Sequence, residues 1–314
     1  MYDTVNFWLN RCDAQVDVEE VANRLERAKY ETDRETGETL VKGKLSDLRV
    51  TASTAGVSIK GSLAKFYFPY NTYTLDRRAT QEAVEKLSDT LSLPMGKARV
   101  TRIDVSTNFV MRLPVKLYFE MLGDCRYYSR QQATNNTLYY HLRGMDCKRS
   151  MCFYDKARET KANGGEMPDV FVDENLLRYE CRWKGRLPEQ FKQAEITGAS
   201  LYDRNLYLKT VKMWGDYYFS IKKKKQLKSD AMAEIKTVKD GMDYICAVAF
   251  EKLGTDEINR LFEELKANKV YGDPKYYTRL KQRVNALSCN AKVTETSDLI
   301  RELDSEVKNV LINA

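Results

Sequence analysis

The chain has 314 residues, and at roughly 150 residues per domain this length predicts about two domains. Charged residues make up 31% of the chain and hydrophobic residues 43%, which is typical of a globular protein and excludes a disordered or collagen-like one. Lys and Arg outnumber Asp and Glu by 52 to 45, and the net charge of +7 favours an anionic partner. His141 is the only histidine, so any site that needs two histidines of this chain is excluded.

The cysteines predict a reducing compartment, and the apolar segments predict neither a signal peptide nor a membrane span. The seven cysteines are odd in number, and none forms a C-x-x-C pair, which favours free thiols over disulfides or a zinc site. The first residues reach Asp3 at once and show no apolar core of a signal peptide. The longest apolar stretch, Tyr244 to Phe250, is far shorter than the ~20 residues that a membrane span needs. We therefore expect a soluble cytoplasmic protein with no membrane partner.

Strands and helices alternate in the first two thirds of the chain. Alternating apolar residues mark the strands, and apolar residues three and four apart mark the helices. In chain order the patterns predict a strand at 3–9, a helix at 16–30, a meander of strands at 40–68, a helix at 76–91, a strand at 98–109, a short helix at 114–122, and strands at 137–142, 150–156 and 176–184. A hairpin around Gly144 is expected to join the strands at 137–142 and 150–156.

Helices dominate the last third, where they are predicted at 234–252, 255–268, 274–287 and 295–311. Gly254, and then Gly272 with Pro274, mark the junctions between them. The predicted fold class is α+β: a domain at 1–212 built on an antiparallel sheet, followed by a helical C-terminal domain at 213–314.

Three of the predicted strands place polar residues on one face and bulky apolar residues on the other, because strand side chains alternate with period two. The polar residues are Arg102, Asp104 and Ser106 in the first strand, Tyr154 and Lys156 in the second, and Arg178, Glu180 and Arg182 in the third. One interpretation is a solvated sheet face with weak ion pairs.

A second interpretation is a site that acts on a phosphodiester, provided that the three strands are neighbours. Two carboxylates on one face are ligands that Mg²⁺ or Mn²⁺ prefers. Arginine and lysine can neutralise charge on a phosphate in the transition state. A tyrosine hydroxyl close by can attack phosphorus and form a covalent intermediate. These residue types together indicate a transesterase.

The same three segments resemble a known family. RIDVS (102–106), CFYDKARE (152–159) and RYECRWKGR (178–186) resemble, in this order, the rolling-circle replication initiators of phages and plasmids. The likeness is to the filamentous-phage gene II/X replication proteins and, more distantly, to the Rep_trans plasmid initiators. The opening MYDTVNFWL and the segment at 257–284 also resemble gene II proteins, so the likeness spans most of the chain.

The resemblance assigns roles to single residues. It implies that Tyr154 is the nucleophile beside Lys156, that Asp104 and Glu180 bind Mg²⁺ or Mn²⁺, and that Arg102, Arg178 and Arg182 contact phosphates. The implied fold is a ferredoxin/RRM-like sheet of the Rep nickase type, without the paired-histidine motif. His141 departs from the pattern and is either a third metal ligand, an ordinary strand histidine or a residue that contacts DNA.

The resemblance also implies a reaction and partners. The expected activity is nicking and joining of one strand at a replication origin through a 5′-phosphotyrosine intermediate. The expected partners are origin DNA, as a single strand or supercoiled duplex, and the helicase and polymerase of a bacterial host. No phosphate-binding loop of a nucleotide hydrolase is present in the sequence, so unwinding would need the separate helicase.

Two further groups are candidates for contacting DNA. Tyr139, Tyr140 and Arg143 combine rings that can stack on bases with a cation that can bind phosphate. The alternatives are that one tyrosine of the pair lies in the core, or that one is a second catalytic tyrosine. Lys222, Lys223, Lys224 and Lys225 form the strongest charge run, and they either contact the DNA backbone or are solvated lysines.

Three other functions stay open from the sequence. One is a DNA- or RNA-binding replication regulator that does not cleave. Another is a plasmid mobilisation relaxase, which shares the chemistry. The last is a metal-dependent nuclease that uses water, for which Tyr154 would be dispensable.

Overall fold

The computed structural model describes residues 1–32, 35, 37–70, 72–134, 136–144, 148–288, 290 and 292–314. The cysteines in these ranges are free thiols, as predicted: Cys12, Cys125, Cys152, Cys181 and Cys246. Cys147 and Cys289 lie outside the described residues. Within the described ranges, no helix has both the length and the apolar character to cross a bilayer.

One large antiparallel sheet organises the chain. The strands are β1 (Tyr2–Asn10), β2 (Glu26–Thr32), β3 (Thr39–Leu45), β4 (Leu48–Ser53), β5 (Gly56–Lys60), β6 (Arg99–Met111), β7 (Leu122–Cys125), β8 (Tyr128–Thr134), β9 (Thr137–Leu142), β10 (Arg149–Asp155), β11 (Asn175–Lys184), β12 (Ile221–Lys223), β13 (Lys225–Leu227) and β14 (Thr294–Thr296). The large sheet has 10 strands in the order β2-β3-β4-β5-β1-β6-β11-β10-β9-β8, and β12-β7 and β13-β14 form two small sheets. The predicted α+β fold on an antiparallel sheet is confirmed.

Several of the helices begin at residues whose side chains cap them. They are α1 (Val18–Asn23), α2 (Leu63–Tyr67), α3 (Arg77–Leu91), α4 (Val115–Met121), α5 (Lys156–Ala162), α6 (Leu187–Phe191), α7 (Arg204–Ser220), α8 (Val238–Ala267), α9 (Lys275–Ser288) and α10 (Asp298–Ile312). Asp76, for example, accepts a hydrogen bond of 2.7 Å from the amide of Ala79, and Asp203 accepts one of 2.9 Å from the amide of Leu206. Such caps satisfy amides that the first turn leaves unpaired.

The apolar face of the central strands packs against α7 and α10. The rings of Phe153 and Tyr179 stack with centroids 4.4 Å apart, and Trp214 of α7 lies 4.9 Å from Tyr179. Leu303 of α10 is buried in the same core. Large aromatic rings of this kind bury much apolar surface, so this face is held firmly and the opposite face is left to polar residues.

The predicted helix at 16–30 is wrong beyond Asn23. The helix α1 buries only Val21 and Ala22, and the chain then turns and forms β2, which pairs with β3. The short apolar face of α1 offers little packing for a longer helix, whereas pairing with β3 satisfies the backbone of β2. The predicted meander at 40–68 is confirmed for β3 to β5, but its last residues form α2, which Ser62 caps.

The predicted helices of the last third are present, with one change. The segments predicted at 234–252 and 255–268 form α8, which is broken at the predicted junction, where Gly254 has φ 75°. The last helix, α10, packs against the large core instead of the other late helices, and its Glu302 accepts a hydrogen bond of 2.6 Å from the Tyr118 hydroxyl. The predicted boundary after residue 212 falls inside α7.

Because α10 belongs to the large core, shortening one of its buried side chains should destabilise the sheet. We expect Leu303→Ala to lower the free energy of unfolding by about 2–5 kcal/mol, the usual effect of a large-to-small change in a core. Urea unfolding followed by tryptophan fluorescence measures the change, since Trp214 lies in this core. The matched control is Ile312→Ala, because Ile312 on the same helix is 80% exposed. An equal stability of both variants would show that α10 is not part of the core.

Candidate active site on the polar face of the sheet

The strands β9, β10, β11 and β6 are neighbours, and their cross-strand partners form rows. The first row is Thr137, Tyr154, Arg178 and Asn108; the second is Tyr139, Cys152, Glu180 and Ser106; the third is His141, Ser150, Arg182 and Asp104. Cross-strand partners point to the same face, and the rows are two residues apart, so all these side chains share one face. We call it the polar face. The sheet thus brings the three segments singled out in the sequence together.

The two carboxylates of the polar face are buried and held by arginines. Asp104 is 1% exposed and accepts two hydrogen bonds from Arg102, of 2.8 Å from Nε and 2.5 Å from Nη2. Glu180 is 3% exposed and accepts one of 2.6 Å from Nε of Arg182. The same Nε lies 3.9 Å from Oδ2 of Asp104. Arg182 therefore lies between the two carboxylates and partly offsets the charge of both.

Burial, together with the nearby charge of Glu180, raises the pKa of Asp104 to about 7, although the hydrogen bond from Arg102 acts in the opposite direction. A carboxyl buried beside a second carboxylate resists ionisation for these two reasons. Near neutral pH this group is thus poised to gain or lose a proton. A cation that entered between the two carboxylates would favour their charged forms.

Tyr154 lies in the row beside Glu180, and its hydroxyl donates a hydrogen bond of 3.3 Å to Oε2 of that carboxylate. Burial raises the pKa of Tyr154 well above its usual value, although the Arg178 charge acts in the opposite direction. The hydroxyl is therefore protonated at neutral pH. Glu180 is placed to accept its proton if the oxygen reacts.

Arg178 lies under the polar face and is completely buried. Its Nη2 donates hydrogen bonds of 2.6 Å to Asp3 and 2.7 Å to the Ser106 hydroxyl. It stands directly opposite Tyr154 in the strand pairing. The sequence predicts a phosphate contact for this arginine, and the structure places it where solvent does not reach it. Its charge acts on Tyr154 through the protein interior.

Asp3, the partner of Arg178, is not among the site residues that the sequence predicts. The register of β1 against β6 shifts between Tyr2 and Val5. Because of this bulge, Asp3 lies on the polar face, while Tyr2 and Val5 are both buried in the core. Bulges often re-aim a side chain next to a site. Burial raises the pKa of Asp3, but the charge of Arg178 and the hydrogen bond from Ser62 outweigh it, so the net shift is downward. The only trace in the sequence is an acidic residue at a position that alternation assigns to the core.

Lys156 follows Tyr154 at the start of α5 and is 1% exposed. Its Nζ donates a hydrogen bond of 2.7 Å to Glu159 and lies 6.0 Å from the centre of the Tyr154 ring. Burial lowers the pKa of Lys156, and the charge of Arg178 lowers it further. The amine thus lies close to the tyrosine, on the side opposite the carboxylates of the second and third rows.

His141 and Tyr139 lie on the polar face of the sheet, whereas Tyr140 lies on the face that packs in the core. Tyr139 and His141 are half-buried on the polar face, with rings stacked at a centroid distance of 5.4 Å. Burial lowers the pKa of His141, as do the charges of Arg182 and Lys184. Tyr140 points into the core, where its hydroxyl donates a hydrogen bond of 2.7 Å to the carbonyl of Gly123. The structure therefore does not bring Tyr140 to the polar face.

His141 is separated from Asp104 by two strands, β10 and β11, although both residues lie in the same row. Among the described residues, no three side chains of His, Cys, Asp or Glu lie close enough together to hold a metal ion. Arg143 is exposed beyond the end of β9. Asp104 and Glu180 are thus the two carboxylates in the rows of the polar face, and His141 does not lie beside either of them.

The lysine run lies away from the polar face. Lys222, Lys223, Lys224 and Lys225 belong to β12, β13 and the turn between them, and they line a cavity of about 710 Å³. Nζ of Lys223 lies 3.7 Å from the centre of the Tyr218 ring and donates a hydrogen bond of 2.8 Å to the carbonyl of that residue. Burial lowers the pKa of Lys223 to about 8. Lys225 donates a hydrogen bond of 2.7 Å to the Thr296 hydroxyl, so Lys223 and Lys225 both have side-chain partners in the fold.

The chain matches the model of one protein family. The family model named Phage_CRI, which describes the N-terminal part of the replication-associated gene II protein of filamentous phages, matches residues 1–216. The match covers well over half of the chain and includes every strand of the polar face. The chain belongs to this phage replication protein family. Membership confirms the resemblance to filamentous-phage gene II proteins and supports a role in the initiation of phage replication, with DNA as the partner. No curated protein matches the chain.

For this member of the phage replication protein family we expect the buried ion pair of Asp3 and Arg178 to contribute strongly to stability. Asp3→Asn leaves the guanidinium buried without its counter-charge and should cost about 3–5 kcal/mol at pH 7. The folded protein lowers the pKa of Asp3, so this contribution is present above the unfolded value of about 3.9 and is lost as the pH falls through the folded value. Urea unfolding from pH 7 down to pH 3 should show the two proteins converge in acid.

The control for this prediction is Asp216→Asn. Asp216 forms an ion pair of 2.8 Å with Lys212, but both side chains are largely exposed. Exposed pairs contribute little, so this variant should unfold like the wild type at every pH. A stability gap for Asp3→Asn that persists unchanged in acid would contradict the ion-pair explanation.

Proposed function

We propose that this protein starts rolling-circle replication by nicking one strand of origin DNA with Tyr154 and later rejoining the ends. The observation that carries the proposal is the placement of Tyr154, Asp104 and Glu180 on adjacent strands of one face, in a chain of a phage replication family. Replication initiators of this kind are generally nicking endonucleases. The origin DNA, single-stranded or supercoiled, is the proposed substrate.

The proposed reaction exchanges one phosphoester bond for another. The Tyr154 oxygen attacks phosphorus, its proton passes to the Glu180 carboxylate, and the bond from phosphorus to the 3′-oxygen breaks. The leaving 3′-oxygen takes a proton from water, and the hydroxide that this leaves takes the proton held by Glu180. The products are a 5′-phosphotyrosyl link and a free 3′-hydroxyl that can prime synthesis. Reversal of the same step joins the strand, and since the link conserves the phosphoester bond, sealing needs no ATP.

The arginines have separate roles in this proposal. Arg102 and Arg182 are partly exposed, at 27% and 25% of their side-chain surface, so they can reach a phosphate on the polar face. Their charges would offset the charge that develops on the phosphate oxygens. Arg178 is buried, and its charge instead favours the ionised form of Tyr154 as the proton leaves.

Asp104 and Glu180 fit a divalent cation such as Mg²⁺ or Mn²⁺. Such ions are commonly bound by one or two carboxylates, and water and substrate phosphates complete the coordination. The donor set here is two buried carboxylates, and binding would require Arg102 and Arg182 to release them. When bound, the ion would polarise the scissile phosphate.

Four further points stay predictions. They are the role of His141, the ferredoxin/RRM-like type of the sheet, the domain boundary after residue 212, and the partnership with a host helicase and polymerase.

A second candidate function has one observation in its favour. Both carboxylates are engaged by guanidinium groups, which is also what a face that binds DNA without cleaving it would need. In that case the protein would be a replication regulator. Cleavage assays separate it from the proposed nickase.

Tyr154→Phe removes the attacking oxygen and should abolish the covalent protein–DNA product, with nicking reduced by at least about 10³-fold. The measurement uses labelled DNA that carries the origin of the protein's own replicon, with Mg²⁺ or Mn²⁺, resolved on a denaturing protein gel. Tyr139→Phe is the matched control, because Tyr139 lies in the next row of the same face. It should keep the covalent product.

Three results would lead to different conclusions. A covalent product in the wild type that only Tyr154→Phe abolishes supports the proposal. Nicking without a covalent product means that water is the nucleophile. DNA binding with neither product is the result expected of the regulator.

Asp104→Asn and Glu180→Gln should each lower metal-dependent nicking while DNA binding is kept. Loss of one carboxylate weakens the site by several kcal/mol, which is at least about 10²-fold in rate. Titration of Mn²⁺ against nicking rate measures the change, and Glu189→Gln on the exposed surface of α6 is the control. Unchanged metal dependence in both variants would place the metal elsewhere.

A further inference from the structure

The polar face continues past β6 onto the outer half of the sheet. In β1 the side chains of Asn6 and Trp8 lie on this face, since Phe7 and Leu9, which alternate with them, are buried in the core. From Trp8 the row of cross-strand partners runs through Ser58, Thr51, Lys42 and Lys29. The next row is Lys60, Arg49 and Lys44, and it ends at Glu26 on β2. We call Lys42, Lys44, Arg49 and Lys60, with Thr51 and Ser58, the basic wing.

Several cations of the basic wing lie opposite one another, although Lys44 also lies opposite Glu26. Arg49 lies directly between Lys60 and Lys44, and Lys42 lies opposite Lys29. Like charges opposite each other in a sheet are destabilising. In the part of the chain that the structure describes, neither Arg49 nor Lys60 forms a salt bridge, whereas Lys42 pairs with Glu31 at 2.5 Å. A solvated surface has no need of this arrangement, but a surface that binds an anionic polymer does.

The opposite side of these strands is packed, so the basic wing is their free face. Val41, Leu48 and Val50 are buried in the large core together with Val21 of α1. The four cations of the wing are all exposed. The wing therefore presents a positive surface that begins on β5, and only β1 separates it from Arg102, the arginine that holds Asp104.

Trp8 lies where the basic wing meets the polar face. Its side chain is half-buried, and an open cavity of about 680 Å³ lies against it, lined also by Asn10, Arg11, Thr54 and the acidic Glu38. An aromatic ring beside cations is the combination that binds unpaired bases by stacking and their backbone by charge. A duplex would leave the ring of Trp8 without a base to stack on.

We propose that Trp8 and the basic wing bind the single-stranded DNA that flanks the nick site. The assignment of the nick site rests on the proposed function, but the DNA-binding surface does not. The three strand spacings from β1 to β3 cover about 14 Å, which is room for about four stacked nucleotides. The base nearest the polar face stacks on Trp8, and the phosphates beyond it lie along Lys60, Arg49 and Lys42.

The test is DNA binding without divalent metal, so that cleavage plays no part in it. The triple variant Lys42→Ala, Arg49→Ala, Lys60→Ala is compared with a control triple, Lys116→Ala, Lys212→Ala, Lys308→Ala. The control cations are exposed on α4, α7 and α10, which pack on the opposite side of the sheet. Fluorescence anisotropy of a labelled single strand and of the matched duplex is measured over a series of salt concentrations.

We expect the wing triple to weaken binding of the single strand at least about tenfold and to reduce the salt slope by about 2, as three lost phosphate contacts require. Its melting temperature should change little, because the like-charge pairs that are removed offset the loss of the exposed ion pair between Lys42 and Glu31. The control triple should bind like the wild type. Trp8→Ala should weaken single-strand binding about fivefold or more, and Trp8→Phe should restore most of it, since phenylalanine also stacks.

The outcomes separate this inference from the proposed nicking. A wild type that nicks DNA while the wing triple binds normally overturns the inference and leaves the nickase intact. A wild type that does not nick, together with a wing triple that loses binding, supports the inference alone. Equal losses in both triples, a loss confined to the duplex, or a wild type that binds no single strand would each overturn it.

Discussion

The buried ion pair between Arg178 and Asp3 is the interaction on which the polar face depends. It joins the first strand of the chain to β11 across β6, and its guanidinium also holds Ser106 on β6 itself. A guanidinium without any exposure is tolerated only with such partners, because an unpaired buried charge is very costly. The pair therefore fixes the positions of three central strands relative to one another, and with them the rows in which Tyr154 and Glu180 lie.

Above this pair the polar face keeps a nearly balanced set of buried charges. Each of the two carboxylates, Asp104 and Glu180, is held by an arginine that is only partly buried. Exposed guanidinium groups can exchange one partner for another at modest cost, whereas the carboxylates cannot move, since they lie in the rows of the sheet. The carboxylates of the polar face are thus fixed in position, and the arginines that cover them can move. An anionic substrate that drew the arginines away would leave the carboxylates free to bind a cation.

Much of the polar face could be predicted from the sequence because alternation in a strand depends on local residues alone. The three segments around Asp104, Tyr154 and Glu180 were singled out for this reason, and antiparallel pairing made them neighbours. Asp3 could not be found, since a bulge reverses its direction and nothing local marks the bulge. The doublet of Tyr139 and Tyr140 left open which ring faces the core, because both are aromatic. The sequence predictions contain no helix at the position of α7, although apolar residues repeat on one side of it, namely Leu206, Val211, Trp214 and Tyr218.

The position of α10 has a consequence for the order in which the chain can fold during synthesis. The ribosome releases the strands of the polar face long before residues 298–312, yet Ile300, Leu303 and Val307 of that helix close the core behind those strands. Until they emerge, the apolar side of the sheet around Trp214 stays open to water, and a nascent chain in this state is prone to aggregation. The polar face thus acquires its rigid backing late in translation, so a partly made chain would carry the acids and the tyrosine on a sheet that is not yet fixed.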